Sequence, residues 1–148
     1  MKGMRIVVIL TGGLLLAAPG LAVAFTASNG AVTDERTNLV WQQQDDGQTR
    51  NWEAAITYCE GLSLAGQGDW RLPNIKELES ITDDGRYSPS IDPIFTVSQE
   101  ASWYWSSTTV ANNVDNAWGV AFSSGPGQVY GKNKSPSYNY VRCVRGGQ

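Results

Sequence analysis

Apolar positions change their spacing near the middle of this chain, from a helical period of 3.6 residues to the alternating period of a strand. Before that change, residues 38–42 (NLVWQ) predict a short first strand with Leu39 and Trp41 on one face. Residues 43–50 are polar, with Asp45-Asp46-Gly47 as their turn. Trp52, Ala55, Ile56 and Cys59 then recur at helical spacing and form the stripe of an amphipathic helix. Asn51 is placed to cap this helix, Glu53 suits the positive end of its dipole, and Gly61 ends it. A second helix is expected after Asp69-Trp70-Arg71-Leu72-Pro73. Asn74 and Glu77 make a capping-box start, Ile75, Leu78 and Ile81 form the apolar face, and Asp83-Asp84-Gly85 stops it.

Residues 86–101 hold Pro89, Pro93 and scattered serines and read as an irregular loop. Beyond them lie short strands at 103–106, 117–122, 128–130 and 140–144. In the second, Trp118, Val120 and Phe122 share one face while Ala117, Gly119 and Ala121 share the other. Gly125-Pro126-Gly127 reads as a hairpin turn, since no helix or Lys-Ser/Thr pair follows to make a phosphate cradle. Two helices followed by a run of antiparallel strands predict an α+β domain.

The N-terminus has a different pattern. Residues 1–24 read as a secretory signal peptide: Lys2 and Arg5 precede an apolar run, and Ala22-Val23-Ala24 supplies small residues for cleavage before Phe25. The run falls short of the ~20 residues a membrane-spanning helix needs, so no span is expected after processing. The domain organisation expected is a signal peptide at 1–24, a flexible lead-in at 25–37 and one domain at 38–148.

Export changes the meaning of the composition. Losing Lys2 and Arg5 from the eleven basic residues leaves nine against fourteen acidic ones, a net charge of −5 that argues against general binding to nucleic acid or sulfated polymers through the net field. The two cysteines, Cys59 and Cys143, meet an oxidising compartment, where pairing is the default. A disulfide leaves no thiolate nucleophile, and the chain has no histidine for imidazole acid–base work or His-ligated metals. No catalytic residue is therefore assigned, and a non-enzymatic role is expected.

The remaining candidates are weighed by context. Trp41, Trp52, Trp70, Trp118 and one of Trp103 and Trp105 suit packing, because aromatic residues supply large buried areas in small domains. Tyr87, Tyr104, Tyr130 and Tyr138 lie near loops or strand ends and are the candidates for exposed stacking. Asp45-Asp46 and Asp83-Asp84 would be the carboxylates of a calcium site or of a glycoside hydrolase. Both precede glycine, however, so turn chemistry explains them and no cofactor is expected. Arg71, Arg142 and Arg145 flank buried-looking strands and suit ion pairs or backbone capping.

Residues 131–139 (GKNKSPSYN) contain the only close pair of lysines and connect the last two strands. With Asn112, Asn113, Asp115 and Asn116 they would form one exposed surface of amides, charge and tyrosine, suited to a glycan or protein ligand. The ligand-binding residues expected are Tyr87, Asn112, Asn113, Asp115, Asn116, Lys132, Asn133, Lys134 and Tyr138.

Several blocks carry a family resemblance: Trp41-Gln42, Trp52 with Tyr58-Cys59, Asp69-Trp70-Arg71-Leu72-Pro73 with Lys76-Glu77-Leu78, Tyr104-Trp105-Ser106-Ser107-Thr108, Ala117-Trp118, and Tyr140-Val141-Arg142-Cys143-Val144-Arg145. In this order they resemble the Lcl C-terminal domain family, a bacterial domain named for the tip of a collagen-like adhesin. A more distant similarity is to the C-type lectin-like fold. That fold implies two helices on small antiparallel sheets, a disulfide from the first helix to the final strand, and long loops that hold the ligand. The calcium-binding Glu-Pro-Asn and Trp-Asn-Asp motifs and the second disulfide of animal lectins are absent. The resemblance implies adhesin-like binding of matrix glycans, sulfated glycosaminoglycans included, outside the cytoplasm. Two alternatives are a protein-binding lectin-like scaffold with variable C-terminal loops and an enzyme of the formylglycine-generating type.

Overall fold

A computed structural model describes residues 24–98, 103–122 and 127–147. The expected signal segment, apart from Ala24, lies outside the described residues, as does most of the Gly125–Gly127 turn. The chain runs β1 (Phe25–Ser28), β2 (Ala31–Asp34), β3 (Leu39–Gln42), α1 (Trp52–Glu60), α2 (Ile75–Ser80), β4 (Trp103–Val110), β5 (Asn113–Ala121), β6 (Gln128–Asn133) and β7 (Val144–Arg145). The strands form two antiparallel sheets, ordered β1-β2-β3-β7 and β4-β5-β6. The expected α+β class holds, with two helices, two small sheets and one disulfide.

Both helices begin as their caps dictate. Asn51 accepts a hydrogen bond from the Ala54 N–H, and Gly61 returns its own N–H to the Thr57 carbonyl. Asn74 and Glu77 form the reciprocal capping box of α2. That helix stops at Ser80, short of the expected Asp83-Asp84-Gly85. The Thr82 hydroxyl and N–H both donate to the Glu79 carbonyl and tie off the last turn.

The flexible lead-in expected at 25–37 is corrected: these residues form the β1–β2 hairpin. Asn29 and Gly30 both have positive φ, 52° and 80°, and occupy the two-residue loop between Ser28 and Ala31. Such a loop matches the right-handed twist of the strands it joins. Val32 is fully buried, and Phe25 packs edge-on against Phe95 at 5.2 Å.

The strands of the second sheet are longer than expected, since β4 and β5 continue to a tight turn at residues 111–112. Residues 113–116 are strand, on the exposed end of β5 where no apolar alternation marks them. In contrast, the run 140–144 is mostly not strand. Tyr140 bonds to β4, with the Trp105 N–H donating to its carbonyl and its N–H donating to Trp103. Four residues on, Val144 pairs with Trp41 of β3. The segment crosses from one sheet to the other and joins them.

Two fastenings sit side by side in that crossing. Cys143 bonds to Cys59 of α1, with 5.5 Å between Cα atoms and a sequence separation of 84. Its neighbour Arg142 is fully buried. Its guanidinium donates to the carbonyls of Gln42 and Gln43 at 2.6 Å each and of Thr96 at 2.7 Å, and lies 3.6 Å from Asp45. The rings of Phe95 and Tyr104 flank it at 5.3 and 5.6 Å. The Asp45 carboxylate also accepts from the Tyr104 hydroxyl at 2.6 Å, from the Ser98 N–H and hydroxyl, and from the Gly47 N–H.

Tyr104, expected as an exposed stacking residue, is therefore corrected to the core. Its ring packs on Phe122 and Tyr140, and its hydroxyl is spent on Asp45. Burial pushes the Tyr104 phenol well above its ordinary range. Burial would also raise the Asp45 carboxyl, but the bonds from Ser98 and Tyr104 outweigh it and hold the group below its ordinary value. Arg71 and Arg145 also take the expected role, paired with Glu77 and Asp69.

Three outcomes follow. Cys59→Ser should lower the unfolding free energy by ~4–5 kcal/mol under oxidising conditions, since the bond closes a long loop; an unchanged urea midpoint would contradict this. Asp45→Asn strands a buried guanidinium and should cost ~3–5 kcal/mol in the same titration. The third outcome concerns acid. Asp45 and Glu77 ordinarily titrate at 3.8 and 4.5 and are both depressed in the fold. Their stabilisation is complete above those values and is lost as pH falls through the lower folded ones. The melting temperature should drop below about pH 4, less steeply in Asp45→Asn, whereas a flat profile there would remove these carboxylates from the account.

Candidate functional site

Charge pairing separates two lysines from every other cation described. The described segments contain nine Lys and Arg residues. Arg36, Arg50, Arg71, Lys76, Arg86, Arg142 and Arg145 each have a carboxylate partner within 4 Å. Lys132 and Lys134 have none among the described residues; each holds its ammonium over aromatic rings instead.

The Lys132 Nζ lies 4.8 Å from the centroid of Trp103 and 5.6 Å from that of Tyr130. These two rings meet edge-to-face at 6.1 Å. The rings meet on a diagonal, since Trp103 of β4 stands opposite Ala121 of β5 and Tyr130 belongs to the next row but one. Between them lies β5, where Gly119 is opposite Tyr130. A Cβ at Gly119 would sit 2.8 Å from the Tyr104 carbonyl oxygen, and Trp103 Cε3 lies 3.9 Å from the same point. Glycine lets the indole lie over the strand. A groove of about 690 Å³ opens here, lined by Trp103, Gly127, Gln128, Val129, Tyr130 and Lys132. Tyr130 is 62% exposed, large for an aromatic residue that plays no part in the core.

A second groove of about 500 Å³ surrounds Lys134, with Trp52, Glu53, Val114, Asp115, Asn133 and Ser135. The Lys134 Nζ is 4.0 Å from the Trp52 ring and donates to the Thr109 hydroxyl at 2.8 Å. The backbone fixes both partners: Lys134 N–H bonds to Asp115 C=O, Trp52 N–H to Lys134 C=O, and the Trp52 indole N–H to Ser106 C=O.

Of the residues expected to bind ligand, the structure brings Asp115, Asn133 and Lys134 together in the second groove and puts Lys132 in the first. Asn116 pairs with Asn133 across the ladder, while Asn112 and Asn113 lie at the β4–β5 turn. Tyr138 is 64% exposed beyond β6. Tyr87 is 77% exposed on the connection after α2 and lines neither groove. The segment 131–139 is not one exposed connection. Lys132 and Asn133 belong to β6, and Asn139 is buried, exchanging backbone hydrogen bonds with Arg50. Sequence reasoning left Trp103, Gln128 and Val129 out of the site. Alternation placed Trp103 and Trp105 on one face but could not say that only Trp105 is covered.

The paired acids have other partners. Asp45 belongs to the buried network, Asp46 binds Arg50, and Asp83 binds Arg86. Asp83, Asp84 and Asp92 border a cavity of about 340 Å³ with Arg36 and Phe25. Among the described residues, no group of three or more His, Cys, Asp or Glu is placed to hold a metal ion. Nor is any described helix long and apolar enough to cross a membrane.

Comparison with curated proteins and with solved structures finds no match to this chain. A family profile does match, that of the Lcl C-terminal domain, over residues 30–145. The matched span runs from the β1–β2 turn to the end of β7 and takes in both helices, every strand but β1, and both cysteines, and on that ground the chain belongs to the Lcl C-terminal domain family.

Proposed function

We propose that this domain is an exported, non-catalytic recognition module of adhesin type that binds glycans or surface polymers on the outer face of β4–β6. The observation that carries this reading is the ammonium of Lys132, without a carboxylate partner among the described residues, held over the Trp103–Tyr130 pair. An aromatic face offers the apolar C–H surface of a sugar ring a flat place to leave water. An ammonium with no carboxylate of its own can take an acidic group or hydroxyls without first breaking an ion pair. Lys134 on Trp52 repeats the combination nearby and would extend contact along a polymer.

Family membership supports an adhesin-associated role. The N-terminal pattern supports export, and the disulfide fits an oxidising compartment. The architecture of two helices, two small sheets and a helix-to-tail disulfide is compatible with a C-type lectin-like arrangement. A non-catalytic role agrees with the lack of histidine and with two cysteines spent on one bond. The reading requires no calcium, because the contacts are aromatic and cationic.

A glycan array probed with and without chelator tests this. Binding should be unaffected by chelator, favour acidic glycans and weaken with salt. Lys132→Ala and Trp103→Ala should each weaken it by about tenfold, equivalent to ~1.4 kcal/mol. Absence of binding to any glycan would end the glycan assignment and leave a protein ligand. As a control on the fold, Tyr130→Ala should change unfolding free energy by no more than ~0.5 kcal/mol, because its ring is mostly in water.

A further inference from the structure

Among the described residues, each sheet has one edge sealed by the chain itself and one that is not. In the first sheet, β7 is sealed by Arg71, which exchanges backbone bonds with Val144. In the second, β4 is sealed by Tyr140. The outer side of β6 carries no strand among the described residues. Exposed edges invite pairing, and proteins usually blunt them with proline, a bulge or a charge that points along the edge. Strand β6 has none of these. Its six residues pair with β5 in continuous register, whereas the irregularities of this sheet lie between β4 and β5. Its one charge, Lys132, is drawn back over Trp103 and Tyr130.

The direction of its free backbone groups can be derived. Lys134 N–H donates to Asp115 C=O at 2.8 Å, and these residues continue the β5–β6 register. In an antiparallel ladder, hydrogen-bonded and non-bonded pairs alternate. Lys132, Tyr130 and Gln128 therefore turn their N–H and C=O toward β5. Val129, Gly131 and Asn133 turn theirs to the open side, three evenly spaced donors and three acceptors.

This strand is complementary to itself. We propose that two copies of the domain pair through β6, antiparallel about a two-fold axis at Gly131, to form a continuous six-stranded sheet. In that register Gly131 faces Gly131 of the second copy, and Val129 faces Asn133. The six open donors and acceptors on each side are then satisfied by six hydrogen bonds. Side chains agree with the backbone: Tyr130 of each copy falls opposite the second copy's Lys132, at non-hydrogen-bonded positions where cross-strand neighbours come closest. The ammonium that lies over its own Tyr130 gains a second ring. Glycine at the axis leaves no side chains to collide on the opposite face. Such an isologous contact closes on itself as a dimer and does not propagate. A seam made by one six-residue strand from each copy is small beside the ~1,200–2,000 Å² of a standard interface, so the association expected is weak. The inference is independent of any glycan.

Sedimentation equilibrium of the purified, disulfide-bonded chain reads it directly. The weight-average mass should rise from monomer toward dimer between micromolar and millimolar concentrations. Tyr130→Lys places an ammonium opposite the second copy's Lys132 twice and should weaken association by at least about tenfold. The double change Tyr130→Lys with Lys132→Glu restores opposite charges at both positions and should recover the dimer. Circular dichroism and melting temperature establish that each variant is folded. If Tyr130→Lys does not fold, Asn133→Pro replaces it, removing an outward N–H but no bond to β5, and should also weaken the dimer. A monomer at every concentration overturns the proposal. So does a dimer indifferent to Tyr130→Lys or its substitute, or a folded double variant that stays monomeric.

Discussion

The ion pair of Asp45 and Arg142 is the constraint around which the rest of this domain is arranged. Two opposite charges buried away from water are tolerated when the donors and acceptors around them find partners. The chain supplies most of these by converging: the carbonyls of Gln42, Gln43 and Thr96, the hydroxyls of Ser98 and Tyr104, and the N–H groups of Gly47 and Ser98 all turn toward the pair, while the Arg142 Nε has no hydrogen-bond partner among the described residues. Four segments distant in sequence are brought to one point. The long connection after α2 is ordered by what it delivers to this centre more than by its own propensity, since Phe95, Thr96 and Ser98 all come from it.

The disulfide works beside the ion pair from the next residue. Successive side chains in an extended segment point to opposite sides. Arg142 accordingly reaches the cluster around Phe95 and Tyr104, and Cys143 the cluster of Ala55, Trp70, Leu72 and Trp105. One extended stretch thus secures both cores and both sheets. The exposed grooves lie on strands whose positions are set by this crossing, and the rings and ammoniums there need not contribute to folding.

The helices were readable because the signals that specify them are local. Asn51, Asn74 and Glu77 act within one turn of their own positions, and the apolar stripe of α1 needs no knowledge of its partner. The disulfide was readable from compartment and number. The β1–β2 hairpin was missed where a local signal did exist: Asn29-Gly30 is the favoured two-residue turn, but Phe25–Ser28 is too short and polar to read as a strand. Tyr104 was misplaced for the opposite reason, since the carboxylate that accepts its hydrogen bond lies 59 residues away. The grouping of Trp103, Tyr130 and Lys132 depends on a diagonal reach across three strands, and the lack of a carboxylate beside Lys132 and Lys134 shows only once the other described cations are matched with theirs.

The distance spanned by these fastenings bears on how the chain reaches its fold. Arg142 and Cys143 bond to Gln42 across 100 and 101 residues, and Cys59 waits 84 residues for its mate. Closing loops of that size costs entropy before any contact repays it, and proteins rich in such remote pairings cross their folding barrier slowly. While β3, α1 and α2 await the crossing segment, their apolar faces stay open to solvent, so folding assistance and dilution matter most to this domain in the interval before its ends meet.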